Sequence, residues 1–339
     1  MNKQIILILL YGSIGLIKAM DNNHATKLAI ICAPYADVML ELKPNIHRNH
    51  QDPNQDTQAL YFEPVTILSK CPGWYKVATT DQMKVETKDN RITYIPHEGW
   101  VEEQYVALQE PYAETDTSFP IIVQSRIATV AFSQSDQDRS KMLEIFAGTK
   151  LYARLLDANP NSYEVKLIDD QTKKFSTGYI NKTDVRKVKD LKNFNISDKR
   201  KLIIEHAEKF LNTPYFWGGM TSNGIDCSGL THLAYRMAGM QIPRDSKDQK
   251  AGAKECAPQN LLPGDLIFLT RVNDKIIRHV MLYGGSDQII DAIGTDAFGT
   301  KWEKVRKTTG QKWLGKPFTQ MEQGEVVGPY VVYGGTFLQ

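Results

Sequence analysis

The chain has 339 residues, 42% of them hydrophobic and 24% charged, which fits an ordinary globular protein of two or three domains and excludes wholesale disorder, collagen-like repeats and a multi-span membrane protein. Forty-one basic against 39 acidic residues leave a net charge of +2, so there is no basic excess to suit a nucleic-acid partner. Four cysteines in this length are too few for a disulfide-stapled scaffold.

Residues 1–20 carry Lys3, the apolar run Ile5–Ile17 and small residues near Ala19. This is the pattern of a secretory signal peptide, so the expectation is export, periplasmic or secreted, without lasting membrane insertion. In an oxidising compartment Cys32 and Cys71 could pair, but spacing leaves the connectivity open. Residues 21–115 read as short strands at Leu60–Leu68, Trp74–Ala78, Ile92–Ile95 and Trp100–Leu108. Turn signals at Pro72-Gly73, Asp89-Asn90 and His97-Glu98-Gly99 separate them, as in a small barrel or sandwich. Residues 116–190 repeat the style with Ile121–Phe132, Thr149–Leu156, Tyr163–Ile168 and Gly178–Ile180, and the charged stretch 187–192 reads as a linker.

After Ser197 the period changes. Lys199–Leu211 predicts a helix stopped by Asn212-Thr213-Pro214. Ser228–Met237 predicts a second, with Leu230, Leu233, Ala234 and Met237 on one face and Gly239 as its stop. Strands follow at Asp265–Leu269, Ile276–Tyr283 and Gln288–Ala292. Helices followed by strands predict an α+β domain over 195–339.

A nucleophilic cysteine needs a stabilised thiolate, a neighbouring base and donors for an oxyanion. Cys227 stands at the mouth of the second helix, where free amides and the positive end of the helix dipole favour a thiolate. The base has to be a histidine. His24, His47, His50 and His97 read as solvated loop residues, and His206 as a packing or surface residue. His232, on the same helix as Cys227, points away around the axis. His279 opens an apolar strand and shares a face with Met281 and Tyr283. Asp291, on the following strand, can accept from its imidazole and fix its tautomer. No CxxC, HExxH or glycine-rich phosphate loop appears, so no metal or cofactor is expected.

Five segments in register carry a resemblance: Tyr215–Gly219, Gly224–Leu230, Ile242–Ser246, Leu262–Leu266, and His279-Val280 with Tyr283–Gly285. Together they resemble the NlpC/p60 family of papain-like cysteine peptidases over about 195–310. The resemblance implies Cys227 as nucleophile, His279 as base, Asp291 in the orienting position and Tyr215 beside the oxyanion. The family usually has histidine, asparagine or glutamine where Asp291 stands, which implies a shifted pH optimum. Trp74, Gly99–Val101, Gly148–Leu156 and Gly178–Val185 are similar to two bacterial SH3-like barrels. Two barrels before such a domain resemble the γ-D-glutamyl-L-diamino acid endopeptidases, which cut cell-wall stem peptides with a free N-terminal L-Ala. Asp245 then matches the amine-binding aspartate. Asp226, Ser228, Arg244 and Ser246 would contact substrate, and Glu63 and Tyr94 would be the first barrel's contribution. An endopeptidase for intact murein crosslinks and a non-catalytic peptidoglycan binder remain as alternatives.

Overall fold

The computed structural model describes residues 27–43, 52–89, 91–110, 112, 115, 117–132, 141–156 and 160–339. The expected leader at 1–20, and His24, His47 and His50, lie outside the described residues. Among the described residues no helix is long and apolar enough to cross a membrane.

Two antiparallel sheets of seven strands come first, from Lys27 to Ala107 and from Phe119 to Lys187. In the first sheet the third strand in chain order forms one edge, followed by the second, sixth, fifth, fourth, first and seventh, and the second sheet repeats that order. In each, a single 3-10 turn (Glu103–Tyr105 or Lys182–Asp184) leads into the last strand, which pairs with the first. The two units therefore share one topology, and each sheet lies inside its expected segment. Alternation buries one face of each strand. Ala29, Ile31, Val38, Val65, Val77 and Val101 fill one core, and Val123, Val130, Leu151, Val165 and Ile180 the other.

Several expected elements differ. Leu60–Leu68 is two strands, Gln55–Leu60 and Pro64–Cys71, because the chain reverses at Phe62, whose φ is +63°. His97-Glu98-Gly99 is no turn but the interior of strand Arg91–Glu102. Gly99 is there because Val38 and Met39 approach so closely that a Cβ would collide with them. Ile121–Phe132 divides into Phe119–Val123 and Ile127–Ala131. The supposed linker is a short helix, Val188–Lys192, docked through buried Val188 and Leu191, which lie three apart on one face. Cys32 and Cys71 are free thiols, and Cys32 sits 3.0 Å from the Lys173 amine of the second unit.

The C-terminal unit opens with helix Ile196–Lys209, which starts three residues earlier than its apolar period because the Asn195 side chain caps the Asp198 amide at 2.9 Å. The central helix, Cys227–Met237, packs on a sheet whose strands lie in the order Lys254–Glu255, Tyr330–Thr336, Leu266–Arg271, His279–Gly285, Gln288–Thr295 and Lys301–Thr309. The strand at 301–309 and the one at 330–336 have no counterpart among the expected elements. Val280, Leu282, Ile290 and Ala292 join Leu230, Leu233, Ala234 and Met237 in one core. Met281, Tyr283 and Ile289 join Phe318 and Met321 on the opposite face. Ser286 and Asp287 turn the chain between the two middle strands with φ of +49° and +68°, the signs a tight two-residue hairpin requires.

The units share a core, since Leu60, Ile122 and Phe146 join the cluster around the central helix. They also share buried charge. Arg236, near the helix C-terminus, reaches Glu63 at 3.5 Å and Asp81 at 3.1 Å, and Lys150 reaches Asp81 at 3.0 Å. Removing the guanidinium leaves the buried Glu63 carboxylate without a cation, while Asp81 keeps Lys150. Arg236→Met should cost about 3–5 kcal/mol, read as a lower urea midpoint. An unchanged midpoint would contradict this account of the interface.

Candidate active site

The geometry of the site starts at Asp226, the residue before the central helix. Its Oδ1 accepts from the Gly229 amide at 2.6 Å and its Oδ2 from the Gly218 amide at 2.9 Å, so one carboxylate fixes the helix start and the preceding loop together. The two segments cross so tightly that a Cβ on Gly229 would collide with the Gly219 carbonyl. The Arg244 guanidinium, fully buried, closes the arrangement: Nη1 donates to Asp226 Oδ1 at 3.0 Å and to Ser228 Oγ at 2.8 Å, and Nη2 to Asp226 Oδ2 at 2.8 Å. Its Nε reaches Thr57 of the first sheet at 2.7 Å. Asp226, Ser228 and Arg244, expected to touch substrate, thus hold one another. The reason is electrostatic: a buried guanidinium requires a carboxylate and full hydrogen bonding.

This scaffold sets Cys227 at the first position of the helix, facing His279. The imidazole stands within electrostatic reach of the Cys227 sulfur on one side and, through Nε2, meets Asp291 Oδ2 at 2.9 Å on the other. His279 and Asp291 meet because Leu282 pairs with Ile290, which places Asp291 diagonally across from the imidazole on the same face. Burial opposes charge on His279, but the Asp291 and Cys227 partners overcome it and raise the imidazole to about 9. Asp291 is fully buried; burial pushes its carboxyl up, and His279 and Arg306 together bring it below the usual range. Arg306 donates through Nε to Asp291 Oδ1 at 3.0 Å. The Tyr215 phenol is pushed well above its ordinary value, first by burial and then by electrostatic coupling to Cys227 and Asp226, so it stays protonated.

A second cluster lies across the first sheet. Asp245 precedes helix Ser246–Gly252, yet its carboxylate makes no capping bond. Its oxygen, one of Asp56 and a nitrogen of His97 lie within 4.8 Å of one another. His97 Nε2 is 2.6 Å from Asp56 Oδ2 and Lys84 is 3.3 Å from it. Burial pushes the Asp56 carboxyl up, but His97 and Lys84 hold it down at about 2. The strand that carries Asp56 is tied to the loop before the central helix: Gln55 donates to the Trp217 carbonyl at 3.1 Å and Gln58 accepts from the Met220 amide at 2.9 Å. His97, expected in a solvated loop, is fully buried here.

The two first-sheet candidates have partners of their own. Glu63 stands just past the Phe62 reversal, where its Oε2 accepts from the Leu60 amide at 3.1 Å and its carboxylate pairs with Arg236. That is the far end of the central helix from Cys227, about 13 Å at 1.5 Å per residue. Tyr94 abuts Gly252, about 10 Å along its helix from Asp245 by the same rise. Ser246 Oγ donates to the Ile277 carbonyl at 3.5 Å, in the segment leading to His279. The sequence reading missed Asp56 and Arg306. The available signal was weak: polar Gln55-Asp56-Thr57-Gln58 inside a strand, and Arg306 among the basic residues of Lys304–Lys307.

Residues 212–316 match the family described as NlpC/P60 family. A γ-D-glutamyl-L-lysine dipeptidyl-peptidase of Bacillus cereus is 28% identical over 69% of this chain and 66% of its own length. One of Bacillus subtilis is 27% identical over 69% of this chain and 71% of its own. The chain thus spans about two thirds of these relatives. The crystal structure of an NlpC/P60 family protein from Bacillus cereus superposes with a TM-score of 0.67 over 92% of this chain and 100% of that one, at 23% identity, which establishes a shared fold. The C-terminal part of this β-rich α+β chain is accordingly an NlpC/P60 domain, of a family of cysteine peptidases.

Proposed function

We propose that this chain hydrolyses peptidoglycan-derived stem peptides, cutting between γ-D-Glu and the diamino acid of peptides that begin with a free L-Ala. The observation that carries this reading is the line Cys227–His279–Asp291 at the start of a helix, with His279 hydrogen-bonded to Asp291 and in electrostatic reach of Cys227. The names of the two Bacillus relatives support the substrate class. The apolar run Ile5–Ile17 supports action on the wall side of the cytoplasmic membrane.

The Cys227 thiolate, paired with the His279 imidazolium, attacks the γ-carbonyl carbon of D-Glu. The oxyanion is met by the first amides of the central helix, which have no intrahelical acceptor, and by the Tyr215 hydroxyl. His279 then gives its proton to the departing amine of the diamino acid, leaving L-Ala-γ-D-Glu as a thioester on Cys227. The now neutral imidazole takes a proton from water, the hydroxide adds to the thioester, and the dipeptide leaves with its carboxylate as the sulfur departs.

Selection for a free amine needs carboxylates at a fixed distance from the scissile bond. Asp245 and Asp56 supply them, with Asp56 in the part the sequence assigned to Glu63. His97 and Lys84 already share the Asp56 charge, so Asp245 contributes most to the attraction. Asp245→Asn should cost about 2–5 kcal/mol in kcat/KM for the free stem peptide and little for its N-acetylated form. Equal rates of cleavage of free and N-acetylated peptide by the parent enzyme would contradict the amine clamp.

The nucleophile has its own test. At pH 7 iodoacetamide should label Cys227 ahead of Cys32 and Cys256, whose thiols burial pushes up. His279→Ala should erase that lead, read by peptide mass spectrometry. Equal labelling of the thiols in the parent protein would count against the Cys227–His279 pair.

A further inference from the structure

Arg306 reaches the site through neither substrate nor sulfur. It lies directly opposite Asp291 in the antiparallel register of strands Gln288–Thr295 and Lys301–Thr309. Its Nε donates to Asp291 Oδ1 at 3.0 Å and its Nη2 to Oδ2 at 3.5 Å, the oxygen His279 also uses. Its Cζ is 4.2 Å from the Trp302 ring and 4.5 Å from the Trp313 ring, so the guanidinium is gripped between two indoles. Both indole N–H groups donate to Asp296 Oδ2, at 3.0 and 3.3 Å. Trp313 also stands edge-on to His279, with centroids 6.4 Å apart. Such a cradle fixes the guanidinium more tightly than an ordinary cross-strand pair would.

We infer that Arg306 is a positioning residue of the proposed reaction, which fixes the Asp291 carboxylate and balances its charge so that His279 can lose its proton between the two chemical steps. The inference rests on the assignment of Cys227, His279 and Asp291 above. During acylation His279 is an imidazolium and itself compensates Asp291. Once the thioester has formed, the imidazole is neutral, and a lone carboxylate buried beside it would draw a proton back. Arg306 supplies the missing positive charge at that stage. The groups facing this line are Cys227 on the central helix, Asp291 on the adjacent strand, Arg306 beyond it, and Trp313. Asp296 and Tyr330 border the Arg306 cradle.

The sign of the effect follows. Removing the guanidinium raises the proton affinity of the His279–Asp291 pair, so water activation needs a higher pH. In Arg306→Met the pH dependence of kcat should move up by about one unit, and kcat at pH 7 should fall about tenfold. kcat/KM, which reports acylation, should fall much less, so KM drops as thioester accumulates. Arg306→Gln, similar in shape and uncharged, should do the same and serves if Arg306→Met does not fold. Arg306→Lys should restore most of the parent profile. The double variant D291N/R306M, with neither charge left alone, should exceed D291N in kcat. Equal losses of kcat and kcat/KM with an unmoved pH profile in the folded neutral variants would overturn the inference and leave Arg306 a purely structural residue. If Cys227→Ala still releases dipeptide, the underlying assignment fails instead.

Discussion

One buried carboxylate, Asp226, organises the site. It caps the central helix, holds the glycine loop before it and takes both terminal nitrogens of Arg244. Arg244 in turn reaches Thr57, so the helix mouth is tied to the first sheet as well as to its own domain. The position of the Cys227 sulfur is a consequence of these bonds. Breaking a buried pair of this kind is far more damaging than never having had it, because the remaining charge cannot be solvated.

The same logic recurs around the molecule. Arg236 with Glu63 and Asp81 fastens the far end of the central helix to the first sheet. Asp291 between His279 and Arg306 fastens the imidazole. The central helix therefore has a charged network at each end and an apolar middle of Leu230, Leu233 and Ala234 between them. Duplication of the β unit fits a division of labour. The first copy turns its Gln55–Leu60 strand toward the helix mouth, while Phe146 and Ile122 of the second pack into the shared core.

Cys227, His279 and Asp291 could be read from the sequence because each has a local signature: a cysteine after a turn at a helix start, a histidine opening an apolar strand, and an aspartate in the next strand across a short turn. The remainder depended on long-range pairing. Glu63 seemed to continue a strand, and the left-handed Phe62 that turns it away is not a residue that signals a turn. His97 beside Glu98-Gly99 resembled a loop, because a glycine required by the close approach of Val38 looks the same in sequence as one required by a turn. Asp56 and Arg306 were invisible because their partners, Asp245 and Asp291, come from other strands or another unit. The α+β order of the C-terminal domain was legible, but its strands Lys301–Thr309 and Tyr330–Thr336 were not, since charge and glycine interrupt their alternation.

The central claim is that the chemistry passes through a bond between substrate and the sulfur of residue 227. Acid quenching of the enzyme during turnover of an L-Ala-γ-D-Glu-diamino acid peptide, followed by peptide mapping, tests it directly. The account predicts an L-Ala-γ-D-Glu adduct on the peptide that contains Cys227 and no release of dipeptide by Cys227→Ala. An adduct on another residue, or undiminished release by that variant, would contradict it.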